Sequence, residues 1–581
     1  MKRASIDAYI IPSSDQHLSE YTPDCWKARE WISGFNGSAG TAVVTLDEAG
    51  LWTDSRYFLQ ATEQLEGTSI TLRKEGLPET PSIADYLREK AGIKCVGFYD
   101  KSMSLAEART YKRAMDIAGI QLKTDHDLVA EVRTDAPEIP QNPFFVQPIE
   151  YAGVSTKDKI EQVREALAKI GANSYILTML DEVAWLFNIR SNDVAYNPVG
   201  IAYGMITPRE VALYTFEKKI PADVKKHLVE NGVVLKPYEE IYADVQQMKP
   251  TDKICMDPVR TNYAFYLRVP SEVTRIEQLS PLTLLKSMKN EAEYQGCRSV
   301  MRRDGAALTR FFIWLEETLA KGETPTEYEL GIKLASFRAM DKQYVSDSFG
   351  TIAGYNGHGA IVHYNATPEG SYKVERSGML LLDSGGQYHD GTTDITRTIS
   401  LDGKPSQKQK DDYTRVLKGH IQLATAIYPE GTRGSQLDIL ARKALWDNCQ
   451  NYGHGTGHGV GHFLNVHEGP QNIRMNENPT TLQPGMVTSN EPGIYITGEY
   501  GIRIENLVRT IPYRTSVDGA FYAFETLTLC YLDNNMVNSS MLTEKEKQWY
   551  NEYQARVYAE VSPLLNEKEQ KWLHAKTAPL A

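Results

Sequence analysis

Gly453-His-Gly-Thr-Gly-His-Gly-Val-Gly461 carries glycine at every second position. In an extended backbone His454, Thr456 and His458 share one face, while the glycine face lets a second backbone approach closely. A period-two glycine run weakens a strand considerably, so its presence points to function rather than to scaffold. The spacing is not the G-x-G-x-x-G of a dinucleotide site.

Working outward, carboxylates stand on either side of this stretch. Asp383 and Asp394 flank Ser384-Gly-Gly-Gln-Tyr-His-Asp-Gly-Thr-Thr393, a glycine-rich hairpin whose stems lie side by side. Two unneutralised carboxylates brought that close repel, and a divalent cation removes the conflict. Glu491 lies in Ser489-Asn-Glu-Pro-Gly-Ile-Tyr495, and Glu505 in Tyr500-Gly-Ile-Arg-Ile-Glu-Asn506. In a strand Arg503 and Glu505 point the same way, so Arg503 is expected to orient Glu505; an ordinary ion pair between them is the plainer alternative.

Asp383, Asp394, His458, Glu491 and Glu505 together form a hard, oxygen-rich donor set with room for two ions, unlike a thiolate zinc site. Manganese, cobalt or zinc would suit it, and raw affinity does not choose among them. Two ions sharing a water make hydroxide at neutral pH and polarise a carbonyl, so amide hydrolysis is the expected reaction class.

The first half of the chain contains two segments on one plan. Tyr9-Ile-Ile, Trp31-Ile-Ser-Gly-Phe, Ala42-Val-Val-Thr and Leu51-Trp-Thr are answered by Tyr175-Ile-Leu, Trp185-Leu-Phe-Asn-Ile, Tyr203-Gly-Met-Ile-Thr and Ala212-Leu-Tyr-Thr. Two related α/β domains are expected. The proline-rich stretch Thr134-Asp-Ala-Pro-Glu-Ile-Pro-Gln-Asn-Pro143 reads as a linker, and a second boundary falls near Ser287–Asn290. Residues 291–321 have helical apolar spacing, and Thr326-x-x-Glu329 opens another helix with a capping box. Met379-Leu-Leu-Leu-Asp383 reads as a buried strand, with a turn at Asp390-Gly391 before the strand resumes at Ile395. Thr543-x-x-Glu546 caps a last helix, whose Trp549, Tyr553, Val557 and Val561 suit packing or a dimer contact.

At 581 residues the chain has room for three or four domains. Its net charge of −12 argues against a nucleic-acid surface. Six scattered cysteines, Cys25, Cys95, Cys255, Cys297, Cys449 and Cys530, form no C-x-x-C pair and suit a reducing compartment. No signal peptide and no membrane span are expected.

These residues resemble the pita-bread metallopeptidases of family M24, and among them the long, three-domain cytosolic aminopeptidase P type over nearly the whole chain. The likeness rests on Arg29-Glu-Trp-Ile-Ser-Gly-Phe-Asn-Gly-Ser-Ala-Gly-Thr-Ala42, Trp52-Thr-Asp-Ser-Arg-Tyr-Phe-Leu-Gln-Ala61, the Asp383–Asp394 hairpin, the glycine-histidine stretch and Asn465-Val-His-Glu-Gly-Pro470. It implies two related creatinase-like α/β domains, at 1–128 and 129–290, and an α+β pita-bread catalytic domain at 291–581. It also implies that Asp394 and Glu505 bridge two metals, that Asp383 completes one shell, and that His458 and Glu491 complete the other. His363 and His467 then contact the peptide and assist catalysis, and His454, His458, Arg503 and the first-domain Arg56 lie on the substrate side. For Arg56 an ion pair with a neighbouring acid such as Asp54 is the competing reading. His462 stands where a smaller residue is expected. The implied protein is a cytoplasmic, manganese-dependent homodimer that releases the first residue of peptides with proline second. The rivals are a prolidase restricted to dipeptides and a non-catalytic pita-bread module that binds peptides.

Overall fold

The computed structural model describes residues 1–580. It forms two compact units, Met1–Lys286 and a second that begins at Ser287.

The first unit holds two six-stranded mixed sheets. One runs, in spatial order, Ile70–Lys74, Ala49–Thr53, Thr41–Thr45, Ala8–Ile11, Cys95–Gly97, Gln121–Lys123. The other runs Val233–Pro237, Val211–Thr215, Tyr203–Ile206, Ser174–Leu177, Lys253–Met256, Thr274–Glu277. Strand order and direction agree at every step, with two antiparallel pairings followed outward by a parallel one on one side and two parallel pairings on the other. Ala8–Ile11 and Ser174–Leu177 are buried throughout, the continuous apolar run that a strand covered on both faces requires. Each is followed by a short helix, Ala28–Ser33 or Leu180–Leu186.

Even the turns repeat. Thr45 and Thr207 each donate N–H and Oγ1–H to the carbonyl of Glu48 or Glu210, and each hydroxyl accepts that glutamate's N–H at 3.1 Å. The flanking pairs Val44↔Ala49 and Ile206↔Val211 therefore align Ala42 with Gly204 and Leu51 with Leu213. The sequence blocks, matched from Tyr203 and Ala212, are one residue early. No helix or strand covers residues 134–143.

The second unit opens with the long helix Glu291–Ala320, capped by Asn290 and Glu293, and continues with Glu327–Arg338, whose Thr326/Glu329 capping box is present. A six-stranded sheet follows the order Ile427–Pro429, Gly519–Thr526, Asn506–Ser516, Val487–Asn490, Gly457–Gly459, Glu468–Ile473. Ile352–Tyr355, Met379–Ser384 and Ile395–Ser400 form a second sheet. Helices Gln407–Ala424 and Glu544–Val561 bury Tyr413, Leu417, Tyr553 and Val557 in one core with Phe311, Leu315 and Leu382. Glu544–Val561 is thus a packing element, and one further helix, Glu567–Lys576, follows it. The hairpin turns at His389-Asp390, one residue before the expected place, because Tyr388 already pairs with Gly391. Only Gly457–Gly459 of the glycine-rich stretch is strand; Gly453–Thr456 bends, and Thr456 donates to Asp438 at 2.5 Å. No helix among the described residues is long and apolar enough to cross a membrane.

Candidate metal centre

Each of the five proposed ligands sits in a strand or at its end. Asp383 is the penultimate residue of Met379–Ser384 and pairs across the hairpin with Thr396. Asp394 immediately precedes Ile395–Ser400, so both stems deliver a carboxylate to the same end. His458 is the middle of Gly457–Gly459, Glu491 directly follows Val487–Asn490, and Glu505 directly precedes Asn506–Ser516.

Ligand atoms of Asp394, His458 and Glu505 lie within 4.8 Å of one another. His458 Nε2 is 3.3 Å from Asp394 Oδ2 and 3.5 Å from Glu491 Oε1. Its Nδ1 is 2.9 Å from the carbonyl of Gly459, so Nδ1 carries a proton and Nε2 is the atom that faces the acids. Asp383 Oδ2 accepts from Arg503 Nη2 at 2.6 Å, whereas its Oδ1 is buried with no hydrogen-bond partner. Ser489 Oγ donates to Glu491 at 3.2 Å, and Thr396 Oγ1 to Glu505 at 2.8 Å.

The electrostatics fit cations. Burial pushes the Glu505 carboxyl well above the usual range; Asp394, Glu491 and Asp383 push it further, and Arg503 only partly compensates. Asp383 and Glu491 are raised too, by burial first. Burial alone would lower His458, but its bond to Asp394 and the charge of Glu491 outweigh that and lift it to about 9. Acids crowded this way hold protons unless positive charge replaces them. An all-oxygen-and-imidazole set, with Asp383 Oδ1 left unpaired, is the donor chemistry that hard or borderline divalent ions take.

One expectation fails. Arg503 orients Asp383, not Glu505. The strand Tyr500–Arg503 ends at the arginine, and the chain then turns so that Ile504 N–H bonds the Pro492 carbonyl and Glu505 N–H bonds that of Thr396. Same-face alternation therefore does not carry across residue 504. The remaining link is indirect, because Thr396 Oγ1 accepts from Arg503 Nε at 3.2 Å while donating to Glu505.

The other proposed residues fall around this core. His467 stands edge-on to His458, with ring centroids 4.4 Å apart. His454 reaches Tyr495 Oη at 2.7 Å, and that hydroxyl also accepts from Arg503 Nη1 at 2.6 Å. His363 is half-buried in an irregular segment whose Val362 carbonyl accepts from Arg503 Nη2 at 3.3 Å. Arg56 belongs to the first unit and grips Asp54 through Nε at 2.8 Å and Nη2 at 2.7 Å, the ion pair of the competing reading. His462 is buried, with Nδ1 3.7 Å from Cys297 Sγ.

Supports that sequence reasoning missed lie beneath the hairpin. Buried Arg338 holds Asp304 (Nε to Oδ1, 2.8 Å), the Gly385 carbonyl (3.1 Å) and Ser384 Oγ (3.0 Å). Asp304 also accepts from Tyr388 and Thr393. The pair therefore braces the residues that follow Asp383 and precede Asp394. Lys289 Nζ meets Glu468 Oε1 at 2.5 Å, both buried, next to His467. No local pattern marks these partners, which come from distant helices and loops.

Family models match in order along the chain: two creatinase/prolidase N-terminal domains at residues 1–134 and 135–293, metallopeptidase family M24 at 295–511, and the C-terminal region of that peptidase family at 520–580. A probable Xaa-Pro aminopeptidase P of Coprinopsis cinerea is 41% identical over 100% of this chain and 97% of its own length. The chain belongs to metallopeptidase family M24. Membership makes it a hydrolase, with creatinase-type N-terminal domains before a catalytic region. Aminopeptidase P2 of Arabidopsis thaliana is 39% identical over 99% of this chain and 86% of its own length. The solved X-prolyl aminopeptidase of Caenorhabditis elegans, described as a cytosolic enzyme with a dinuclear active site, superposes with a TM-score of 0.94 at 38% identity, covering 99% of this chain and 95% of that one.

Proposed function

We propose that this M24 peptidase is a two-metal Xaa-Pro aminopeptidase, releasing the first residue from peptides whose second residue is proline. The observation that carries the reading is the convergence of Asp394, His458 and Glu505, with Asp383 and Glu491 against them. In this reading Asp394 and Glu505 would serve both of two divalent ions, Asp383 would complete the donor set of one, and His458 and Glu491 that of the other. The ions, manganese by preference, would lower the pKa of water and polarise the scissile carbonyl. The chain's own residues do the rest. Arg503 neutralises and aims Asp383, the Gly459 carbonyl holds the proton of His458 Nδ1, and His363 and His467 meet the peptide. His454 and Arg503 complete the substrate side.

Full-length similarity to enzymes named for Xaa-Pro cleavage supports the proline preference. The matched repeat and the family matches support three domains, at 1–128, 129–290 and 291–581. A cytoplasmic homodimer belongs to the same reading. The deciding experiment supplies Mn²⁺ to metal-free protein and compares Xaa-Pro-Yaa with Xaa-Ala-Yaa peptides. Cleavage of the first alone is expected. Equal cleavage of both refutes proline selectivity, and cleavage of neither beside cleavage of an added Xaa-Pro dipeptide makes the protein a prolidase.

A further inference from the structure

His363 lies in a stretch with little regular structure. After the strand Ile352–Tyr355 and a short 3₁₀ turn at Asn356–Ala360, the chain has no helix or strand until Met379. Residues Asn365 and Thr367 to Gly370 are exposed. A side chain that must meet a peptide from such a loop needs anchors, and the loop's anchors converge on one buried carboxylate.

Glu327 is the first residue of the helix Glu327–Arg338, and its side chain is fully buried. Oε1 accepts the N–H of Tyr355 at 2.7 Å, at the start of the loop. Oε2 accepts the N–H of Tyr372 at 2.8 Å, at its return. The same Oε2 lies 2.8 Å from His358 Nδ1 and accepts the Tyr364 hydroxyl at 2.8 Å. The His358 ring stacks on Tyr372, with centroids 3.5 Å apart, and on Tyr364 at 4.4 Å. The backbone of the return limb is tied to the same helix start, by Glu327 N–H to the Tyr372 carbonyl and Val374 N–H to the Pro325 carbonyl.

A carboxylate withdrawn from water this far is stable only when fully hydrogen-bonded, and charge-assisted bonds of this kind are the strong ones. The helix N-terminus adds favourable potential. The residues on either side of His363 are thus held by two separate anchors, Val362 through its carbonyl by Arg503 of the metal centre and Tyr364 through its hydroxyl by Glu327.

We propose that Glu327 is a positioning residue for the reaction, fixing the loop so that His363 stands at the metal centre. Its carboxylate meets Tyr355, His358, Tyr364 and Tyr372, none of them a proposed ligand, and it acts through Tyr364 and the closure of the loop. The inference rests on His363 being a peptide-contacting group.

A double-variant cycle tests it, using Glu327→Gln, His363→Ala and the pair in manganese-loaded full-length protein. Glu327→Gln is expected to lower kcat on an Xaa-Pro-Yaa peptide by about 100-fold, the scale of a 1 Å misplacement. Metal content by elemental analysis should stay as in the unaltered protein. In the His363→Ala background the same change is expected to cost less than about 3-fold, because the group it positions is gone. A merely structural role would multiply with His363→Ala or lower metal content, and either result overturns the proposal. So does a Glu327→Gln protein with normal kcat beside an impaired His363→Ala. An unimpaired His363→Ala instead removes the assigned role of His363, which separates that failure from this one. Should Glu327→Gln not fold, Tyr364→Phe, which deletes only the hydroxyl beside His363, is run through the same cycle. It is then expected to lose about 10-fold in kcat, and independence from His363→Ala overturns the proposal in the same way.

Discussion

Replacing Gly457 by alanine is the sharpest test of the glycine-rich stretch. A Cβ built there would lie 1.9 Å from the Ser489 carbonyl oxygen, against a closest real approach of 3.0 Å, so the backbones must part by about 1.1 Å. Ser489 cannot yield freely, because its Oγ accepts the His458 N–H at 2.9 Å and donates to Glu491. Opening the contact therefore displaces two proposed ligands whose side-chain atoms are 3.5 Å apart. Overpacking of this kind costs about 1–3 kcal/mol of stability. Metal–ligand distances tolerate only about 0.2 Å, so metal affinity should fall as well, and a displacement near 1 Å costs about 100-fold in rate. Gly455 supplies the control. A Cβ there meets the Arg474 side chain at 3.4 Å, an ordinary contact. Both variants would be purified, loaded with Mn²⁺ and examined by elemental analysis, thermal melting and kcat. Gly457→Ala should bind less than the full metal complement and lose most activity, while Gly455→Ala stays near the unaltered protein. A fully loaded, fully active Gly457→Ala, or equal damage in both, would refute the reasoning.

Chelator-treated protein should lose activity and regain it most strongly with Mn²⁺; full activity in rigorously metal-free protein contradicts the two-metal reading. Glu505→Ala and Asp394→Ala should each abolish turnover and lower bound metal, whereas His363→Ala keeps the metal and loses rate; equal metal loss in all three would dissolve that division of roles. Arg338→Ala strands the buried Asp304 carboxylate and should cost about 3–5 kcal/mol in urea unfolding, and a loss under about 1 kcal/mol would show that the brace beneath the hairpin is dispensable. Burial holds His17 neutral, down to about 3, between the Thr178 carbonyl and Tyr238 Oη. Unfolding frees an imidazole that takes a proton below about 6.5, so the unfolded state binds more protons and stability falls with falling pH between those values, by about 1.4 kcal/mol per pH unit. His17→Gln should remove about 2 kcal/mol of the stability difference between urea titrations at about pH 7 and about pH 5, and an unchanged difference would exclude His17 as its source.

The legible parts of this protein were local in sequence. Asp383 and Asp394 could be paired from the sequence because a short hairpin joins them, and the glycine run proved to be a close backbone approach at Gly457. The duplicated sheets announced themselves through strand blocks at constant spacing, although only the shared Thr45 and Thr207 turns fix the alignment to the residue. What stayed hidden depends on partners far along the chain. Glu327 looks like an ordinary acid in a helix's first turn until Tyr355, Tyr364 and Tyr372 fold onto it. Asp304 and Arg338 are a single acid and a single base on two helices, with no spacing rule to join them. Arg503 was assigned the wrong carboxylate because alternation holds only inside a strand, and the strand ends at Arg503 itself.

The hairpin also sets an order in time. Asp383 and Asp394 are 11 residues apart, and Glu505 follows Asp394 by 111. At about 5–20 residues per second of synthesis, roughly 6–22 s separate the emergence of the two aspartates from that of the last ligand. Through that interval the nascent chain carries its paired acids without the Arg503 guanidinium that later neutralises Asp383, and without the glutamates that complete the donor set. The capacity to hold two ions is therefore acquired late, once the segments that bear His458, Glu491 and Glu505 have been made. A ribosome that stalls in between leaves behind an acidic turn and no peptidase.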